Sequence, residues 1–308
     1  MSEFVPLVCY RRDALAEVTI HGAFSIFSQG RVVKHIGGNP LLFGRSLTKP
    51  YQMKPIVRDL RELSLRARAL TLASHNAETF HLEALDEIVE MERAETCGIE
   101  IFKQLKLPES LPLMTLGRNL LPLQKSNHPC SGKHAAILRA CIHRGWPVES
   151  YLSLAHPYHA VYLESLKLVL GPGWQPAKTA TDGCGLPTPS FQLSELAHLF
   201  EALAARKDDD WIWSAMTENP EIIGGTDRLD TAIMQTAPGL IIAKEGADGL
   251  LGLAFIHEAE AVGIVIKIAH GHDPKAAGAV AHELMKSYGF SLPPSFAPHG
   301  QTIDVAAL

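Results

Sequence analysis

The sequence predicts an α/β protein built on an antiparallel sheet of about five strands, with a helical lobe inserted in the middle of the chain. Short runs rich in Val, Ile, Phe and Thr occupy both ends of the chain, whereas the central part has apolar residues at helical spacing. Only short turns separate successive strand segments, which favours antiparallel pairing. A last helix near the C-terminus is expected to cover the sheet.

The predicted lobes are discontinuous in sequence. The 308 residues suggest two lobes or one large domain, because domains average roughly 150 residues. We expect a sheet-containing lobe formed by 1–60 and 205–308, and a mainly helical lobe formed by 61–204. Together they would form one catalytic unit, with the site between the lobes, where pockets commonly form.

The N-terminal region is predicted to form strands. Residues 5–10 and 14–35 are rich in β-branched and aromatic residues, with breaks at Gly22 and at Gln29-Gly30. The chain after Gly30 would be the return strand of a hairpin.

The central region is predicted to be helical. One helix covers 62–72, and another runs through 82–91 and ends at Gly98. A clearer helix has Ser131 as its N-cap and stops at Gly145. Leucines at helical spacing predict a further amphipathic helix over 193–203.

The last third returns to strands and closes with a helix. The predicted strands are 240–243, 250–256 and 262–269. The closing helix has Asp273 as N-cap, Pro274 at its first position and Gly289 as its stop.

Composition excludes several classes of protein. Lys and Arg number 28 against 33 Asp and Glu, a net charge of −5, and no basic stripe with interleaved aromatics suggests nucleic-acid binding. No apolar run approaches the roughly 20 residues of a membrane span, and the N-terminus lacks the features of a signal peptide. Five thinly scattered cysteines indicate a reducing compartment. We therefore expect a soluble, cytoplasmic protein.

The stretch 43–52 places a serine hydroxyl and a lysine amine three residues apart. Because residues i and i+3 share one face of a helix, Ser46 and Lys49 could lie within hydrogen-bond reach. Pro50 is tolerated in a first turn, so the helix is predicted to start at about Ser46. A serine needs a base to act as a nucleophile, and a lysine is such a base only when its amine is neutral. The alternative is a solvated helix start.

Two further polar stretches supply possible partners. Ser74 and Asn76 form S-x-N at the end of a predicted helix, and Lys244 and Gly246 form K-x-G at the end of a predicted strand. With the first pair, their order resembles the S-x-x-K, S-D-N and K-T-G set of class A β-lactamases and penicillin-binding proteins. A second amine would lower the pKa of the first, and Gly246 would leave room for substrate along the strand edge. The alternatives are a polar turn and a strand-end charge.

Two of the cysteines are candidates for metal or thiol chemistry. Cys130 stands at a predicted helix N-terminus, which lowers a thiol pKa, and Cys184 lies in a glycine-flanked turn. Both have polar, glycine-rich flanks, so we assign only Cys9, Cys97 and Cys141 to structural positions. Two thiolates with nitrogen or oxygen donors would select zinc. Nucleophilic attack by a thiolate is the open alternative.

Five motifs together resemble the rhizobial-type L-asparaginases, the class 3 or thermolabile enzymes of the asparaginase II family. The motifs are Arg45-Ser46-x-x-Lys49-Pro50, Ser74-His75-Asn76, Cys130-Ser131-Gly132-Lys133-His134, Asp182-Gly183-Cys184-Gly185 and Gly224-Gly225-Thr226-Asp227-Arg228-x-Asp230-Thr231. They span nearly the whole chain. The resemblance implies a fold like that of serine β-lactamases and glutaminases, a homodimer, and hydrolysis of L-asparagine to L-aspartate and ammonia.

The resemblance also implies residue roles. Ser46 with Lys49, and Ser74 with Lys244, would be two Ser–Lys pairs facing the substrate. The implied zinc ligands, completed by water, are Cys130, Lys133 and Cys184. A lysine must lose its proton to bind a metal, and the charge of the metal can force that loss. The implied substrate-binding residues are Arg45, Asn76 and Asp182. The family pattern has glycine where this chain has Ala77.

The mechanism that these roles suggest is acyl transfer. Ser46 would attack the side-chain amide, Lys49 would take its proton, and water would free aspartate after ammonia leaves. Ser74 and Lys244 would carry protons to the leaving group, while zinc would orient the site.

Three other functions compete with this one. A glutaminase is the near neighbour, because one methylene changes binding by only about 1–3 kcal/mol. A zinc-hydroxide amidohydrolase would place Cys130, Cys184 and a histidine on the metal, with the serines in support. The non-enzymatic alternative is a domain that binds an amino acid.

Overall fold

The computed structural model of the chain describes residues 3–90, 125–292 and 302–306. Its contacts divide the chain into two compact units. The first comprises Met1–Leu47, Ser190–Lys207 and Asp227–Leu308, and the second comprises Thr48–Pro189 and Asp208–Thr226. These boundaries differ from the predicted ones, because 48–60 and 208–226 belong to the second unit and 190–204 to the first.

The first unit is built on an antiparallel sheet. The described strands of the chain are β1 Val5–Arg12, β2 Leu15–Ser28, β3 Arg31–Ile36, β4 Leu41–Phe43, β5 Thr179–Thr181, β6 Pro187–Gln192, β7 Ile241–Gly246, β8 Leu250–His257, β9 Glu260–Ile268 and β10 Thr302–Val305. Seven of them form one sheet in the order β10-β1-β2-β9-β8-β7, with β3 beside β2. All of these pairings are antiparallel. The predicted α/β class with an antiparallel sheet is therefore confirmed, with two more strands than the expected five.

The remaining elements are mostly helices. The described α-helices are Lys49–Met53, Leu65–Leu72, Thr79–Glu90, Ser131–Arg144, Pro157–Leu170, Leu193–Ala205, Ile212–Glu218, Pro220–Ile223, Leu229–Thr236 and Pro274–Lys286. Four short 3-10 helices accompany them, at Arg45–Thr48, Lys54–Ile56, Lys125–Asn127 and Val148–Ser150. The predicted Asp273 cap is confirmed, since its carboxylate accepts the Ala276 N–H at 2.9 Å.

Helices cover both faces of the sheet of the first unit. Phe200, on the helix Leu193–Ala205, fills the space beside Gly252, where a Cβ would lie 2.2 Å from its ring. Phe255 stands three residues further along the same strand and therefore points to the other face. There it contacts the ring of Tyr288, just beyond the C-terminal helix, with ring centroids 4.9 Å apart.

Two glycines in the N-terminal strands have different roles. The predicted turn at Gln29-Gly30 is confirmed, with φ of 53° and 71°. The predicted break at Gly22 is wrong, because β2 runs through it without interruption. A Cβ at Gly22 would lie 2.4 Å from the Lys267 carbonyl oxygen. This glycine therefore permits a close approach of neighbouring strands and does not end one.

Two helix starts differ from the prediction. Cys130 occupies the N-cap position and Ser131 is the first helical residue. The predicted helix at Ser46 begins as the 3-10 helix Arg45–Thr48 and becomes an α-helix only at Lys49. The predicted stop at Gly145 is confirmed, since it adopts the left-handed conformation at φ 64°.

Part of the predicted second helix lies outside the described residues. The helix Thr79–Glu90 is present, whereas Met91, Cys97 and Gly98 fall in the stretch that is not described.

Candidate active site

Lys49 is a buried lysine at the start of the second unit. It begins the helix Lys49–Met53 and is 1% exposed. Its Nζ donates to Ser74 Oγ at 3.0 Å and to the Ala73 carbonyl, with a longer contact of 3.5 Å to the Pro129 carbonyl. The structure therefore pairs Lys49 with Ser74, whereas the resemblance implies Lys244 as the partner of Ser74.

The turn that carries Ser74 is tied to a distant part of the second unit. The Ser74 N–H donates to the Ile223 carbonyl at 2.9 Å. Two residues on, the Asn76 amide Nδ2 donates to the Thr226 carbonyl at 3.1 Å. The side chain of Asn76 is thus engaged with backbone, so it positions this turn in the structure as it stands.

Two backbone conformations make the turn possible. Ala77 has φ of 56°, the left-handed region in which glycine is favoured. This is the position where the family pattern has glycine. Gly225 has φ of 118°, and a Cβ there would lie 2.5 Å from both Asn76 Nδ2 and Glu78 Oε2. Only glycine at 225 lets the two segments approach this closely.

His75 links the same turn to the helix that follows Cys130. Its Nδ1 accepts the Ala77 N–H at 3.0 Å, so in the neutral ring the proton lies on Nε2. That Nε2–H then donates to Ser131 Oγ at 2.8 Å. Burial lowers the pKa of His75, with the charges of His81 and Lys49 acting in the same direction. The ring is therefore a neutral structural donor, a role that its place in Ser74-His75-Asn76 does not reveal.

The second unit also brings together the three predicted zinc ligands. Cys130 and Cys184 are free thiols, 8% and 3% exposed. Lys133, one helical turn after Cys130, is 1% exposed and its Nζ donates to Cys184 Sγ at 3.3 Å.

Electrostatics distinguish the two thiols. Interaction with the neighbouring Cys184 thiol is the main cause that lowers the Cys130 pKa well below its usual value, helped by the charges of Lys49 and Lys133. The same interaction, together with burial, raises the pKa of Cys184. Burial alone would lower the Lys133 pKa, but the charges of Cys184, Cys130 and Asp182 raise it. These shifts favour the charged forms of Cys130 and Lys133 and the neutral form of Cys184.

The donor set of this cluster fits zinc. Two sulfurs and a nitrogen are ligands that favour Zn²⁺ over harder cations such as Mg²⁺ or Ca²⁺. Among residues 3–90, 125–292 and 302–306, no group of three or more His, Cys, Asp and Glu side chains could hold a metal ion. A metal here would thus require the Lys133 amine as a ligand, which must first lose its proton.

Asp182 lies at the edge of the thiol cluster. Its carboxylate Oδ1 accepts the Gly183 N–H at 2.8 Å, and its own N–H donates to the Leu186 carbonyl at 2.8 Å. These bonds fix the turn that carries Cys184. The negative charge of Asp182 helps to raise the pKa of Lys133. This electrostatic effect connects Asp182 to the thiol cluster.

Arg45 and Ser46 belong to the first unit. Ser46 is half-buried in the 3-10 helix Arg45–Thr48. Arg45 has φ of 48° and forms an ion pair with Asp248, in the turn between β7 and β8. The sequence suggested that Gly246 leaves room for a substrate. In the structure the Leu47 side chain occupies the space where a side chain at 246 would be, since a Cβ there would lie 2.5 Å from Leu47 Cδ1. This glycine makes room for the leucine next to Ser46.

Lys244 is a buried cation in the interior of β7. It lies opposite Gly252 in the ladder and is 0% exposed, so it is not a strand-end charge. Its Nζ donates to Asp230 Oδ2 at 3.1 Å and to the Glu245 carbonyl at 3.0 Å. Asp230 was present in the sequence motif 224–231, but its ion pair with a residue on another element could not be read from that motif.

Comparisons with known proteins place the chain in a family. A sequence model described as L-asparaginase II matches residues 8–303. No curated protein matches the chain. Among solved structures, a candidate beta-lactamase from Bacteroides dorei DSM 17855 aligns with 11% identity and a TM-score of 0.47, over 87% of this chain and 92% of that one. Those values are too low to support a conclusion about fold or function.

In the described part of the chain, no helix is both long and apolar enough to cross a membrane.

Proposed function

The chain belongs to the L-asparaginase II family and is an amidohydrolase, and we propose that it hydrolyses L-asparagine to L-aspartate and ammonia by a Ser–Lys mechanism. The observation that carries the proposal is the 3.0 Å hydrogen bond between Lys49 Nζ and Ser74 Oγ. A lysine this deeply buried beside a hydroxyl is the arrangement that Ser–Lys acyl transfer needs.

In the proposed mechanism Ser46 is the nucleophile. Its Oγ attacks the side-chain carbonyl carbon of asparagine, and the Lys49 amine takes the hydroxyl proton. The C–N bond of the tetrahedral intermediate breaks, and the leaving nitrogen takes a proton delivered by way of Ser74 and Lys244 to become ammonia. Water then attacks the Ser46 ester, its proton returns to Ser46 Oγ as the C–O bond breaks, and aspartate is released.

Ser74 is the second candidate for the nucleophile. The hydrogen bond that favours it is the same contact with Lys49, because it puts the lysine next to the hydroxyl that it would have to deprotonate. Variants of the two serines therefore distinguish the two mechanisms.

Lys49 must be neutral to act as a base, and the groups around its amine determine whether the neutral or the ammonium form is favoured. The carbonyls of Ala73 and Pro129 accept hydrogen bonds from Nζ and favour the ammonium form. Cys130, Lys133 and Cys184 would hold zinc in this unit. The positive charge that zinc supplies favours a neutral amine at Lys49. In this proposal the metal-loaded thiol cluster helps to keep the Lys49 amine neutral.

The serine test measures ammonia release from L-asparagine, L-glutamine and a β-aspartyl dipeptide. We expect Ser46→Ala to lower kcat by about 10⁴-fold or more and Ser74→Ala by about 10–1000-fold. The control is Ser165→Ala, which removes a half-buried hydroxyl bonded to the Tyr51 and Tyr162 carbonyls. Activity retained in Ser46→Ala and lost in Ser74→Ala would transfer the nucleophilic role to Ser74.

Covalent chemistry can be tested directly in the same experiment. Rapid quenching followed by mass spectrometry should show an aspartyl ester on a peptide that contains Ser46, and hydroxylamine should intercept it. A zinc-hydroxide mechanism would give ammonia without any ester. Preference for glutamine over asparagine would make the chain a glutaminase in the same fold and site.

The metal proposal has a readout that does not depend on activity. We expect about one zinc per chain by elemental analysis, and a clear loss of bound zinc in Cys130→Ala and Lys133→Met. Cys141→Ala is the matched control, because Cys141 is a free, fully buried cysteine on the same helix. Equal zinc content in all three variants would rule out this ligand set.

Two further properties remain predictions from the sequence and its resemblance. We propose that the protein is a homodimer and that it acts in the cytoplasm on a small-molecule substrate. Sedimentation of the purified chain tests the first, and fractionation of cells that express it tests the second.

A further inference from the structure

Lys244 and Asp230 form the most completely buried ion pair in the described part of the chain. Both side chains are 0% exposed, and Lys244 Nζ lies 3.1 Å from Asp230 Oδ2. The lysine is on β7, and the aspartate is in the first turn of the helix Leu229–Thr236, which contacts that strand. Two charges removed from water are retained only where each satisfies the other.

Asp230 binds the backbone of β7 as well as the Lys244 ammonium group. The same Oδ2 that accepts from Lys244 also accepts the backbone N–H of Glu245 at 3.1 Å. Its Oδ1 accepts the Thr231 N–H at 3.1 Å, and the helix N-terminus favours a negative charge at this position. One carboxylate therefore fixes both the ammonium group and the strand backbone next to it.

The Lys244 side chain has a donor left over. An ammonium group has three N–H bonds. Among the described residues two are used, for Asp230 Oδ2 and for the Glu245 carbonyl. Because these two bonds hold the ammonium group, they also fix the direction in which the third N–H points. Donors fixed in this way stabilise charge that develops in a transition state.

We propose that Asp230 is a positioning residue for the reaction, which fixes the orientation of the Lys244 side chain and so aims its remaining N–H at the reacting amide. The inference rests on the proposed function, in which Lys244 takes part in catalysis. It assigns Lys244 the role of an oriented donor to the leaving group, which is the part that Lys244 takes in the proposed mechanism. The ion pair of Arg228 with Glu245 at 2.9 Å supports the same segment from the other side.

The test compares Asp230→Asn with a matched control. We expect Asp230→Asn to lower kcat by about 10-fold or more while KM changes by less than about 3-fold. The control is Asp59→Asn, which removes a carboxylate paired with Arg144 at 2.6 Å in the second unit and should leave both constants within about 2-fold. Asp230→Glu keeps the charge and should recover kcat to within about 3-fold of wild type.

Double variants show whether Asp230 acts through Lys244. In the Lys244→Met background, adding Asp230→Asn should change kcat by less than about 2-fold, since the group it positions is gone. This pair of measurements also decides the matter if Asp230→Asn alone does not fold, because the double variant leaves no buried unpaired charge. A folded Asp230→Asn enzyme with wild-type kcat, or a double variant much slower than Lys244→Met, overturns the inference.

The two levels of the proposal fail in different ways. Wild-type protein that releases no ammonia from any of the three amides removes the proposed function. Ammonia release that depends on Lys244 but not on Asp230 leaves the proposed function standing and removes only the positioning role.

Discussion

Two buried lysines, Lys133 and Lys244, face different chemical partners in the two units of this protein. Lys133 donates to the Cys184 thiol at 3.3 Å, whereas Lys244 donates to the Asp230 carboxylate at 3.1 Å. A thiol is neutral near pH 7 unless its surroundings ionise it, but a carboxylate is charged there. The raised pKa of Cys184 favours the neutral thiol as the partner of Lys133, whereas the partner of Lys244 is a carboxylate that carries a charge.

The difference teaches how one residue type can serve two purposes. A lysine between thiols can give up its proton when a metal arrives, since the sulfurs and nitrogen can all become ligands. A lysine on a carboxylate stays charged and serves as a fixed source of positive potential. The partner of each lysine, and not its burial, decides which role it can take.

The largest effect should come from cutting the carboxylate pair. Lys244→Met leaves Asp230 buried without its counter-charge, so we expect a loss of about 3–5 kcal/mol in the free energy of unfolding. Urea denaturation followed by circular dichroism measures it. Lys244→Met with Asp230→Asn should regain most of the loss. A single variant within about 1 kcal/mol of wild type would contradict the comparison.

The second effect concerns acid. Burial raises the pKa of the Asp230 carboxyl, but the charges of Lys244 and Arg228 outweigh it and lower the pKa to about 2. Because the folded pKa lies below the unfolded value of about 3.9, the group stabilises the fold at neutral pH by about 2 kcal/mol. This contribution should fade as the pH falls from about 5 to about 2. Urea denaturation at several pH values should show that the free energy of unfolding falls more steeply with falling pH for wild type than for the Lys244→Met, Asp230→Asn double variant.

The thiol side should tolerate the same substitution better. In metal-free protein we expect Lys133→Met to cost only about 1 kcal/mol, since Cys130 can take up a proton and become neutral. The measurement is again urea denaturation, in the presence of a chelator. A cost equal to that of Lys244→Met would show that the two lysines are held alike, and the contrast drawn above would be lost.

The smallest effect tests the turn that carries Ser74. Ala77 has φ of 56°, where glycine fits without a steric penalty. Ala77→Gly should therefore stabilise the protein by about 0.5–1 kcal/mol. The larger conformational entropy of glycine in the unfolded chain offsets part of this gain. Ala73→Gly, at an ordinary φ of −75°, should instead destabilise it. A stabilising effect at both positions would point to a cause other than the left-handed backbone.

The parts of the fold that local chemistry specifies could be predicted from the sequence. Gln29-Gly30 predicts its hairpin because glycine adopts a positive φ readily, and in the structure both residues have a positive φ. Asp273 followed by Pro274 predicts a helix start, since one accepts a backbone N–H and the other needs no partner for its nitrogen. In such places the residues that determine the structure are adjacent in the chain.

Other elements could not be predicted, because their cause is distant. The strand β6, Pro187–Gln192, contains two prolines and reads as a loop. It is a strand because it pairs with β5, which is only a short turn away, and with β4, which is far from it in sequence. Gly22 reads as a break for the same reason, since only the structure shows the Lys267 carbonyl that it approaches.

The candidate site divides in the same way. The motif 130–134 names a cysteine and a lysine one turn apart on a helix, and the proximity of these two follows from helical spacing. The contacts between Lys49 and Ser74 and between Asp230 and Lys244 join separate elements. Their sequence spacing carries no geometric information, so a motif can name such residues but cannot say which one partners which.

Leu47 and Gly246 have a consequence for the proposed nucleophile that is mechanical. The leucine side chain occupies the place where a side chain at 246 would be, so the segment next to Ser46 rests directly on the end of β7. A substitution at 246 that added even a methyl group would meet the end of the Leu47 side chain, which would have to shift beside Ser46. The packing beside the proposed nucleophile therefore depends on a residue that has no side chain of its own.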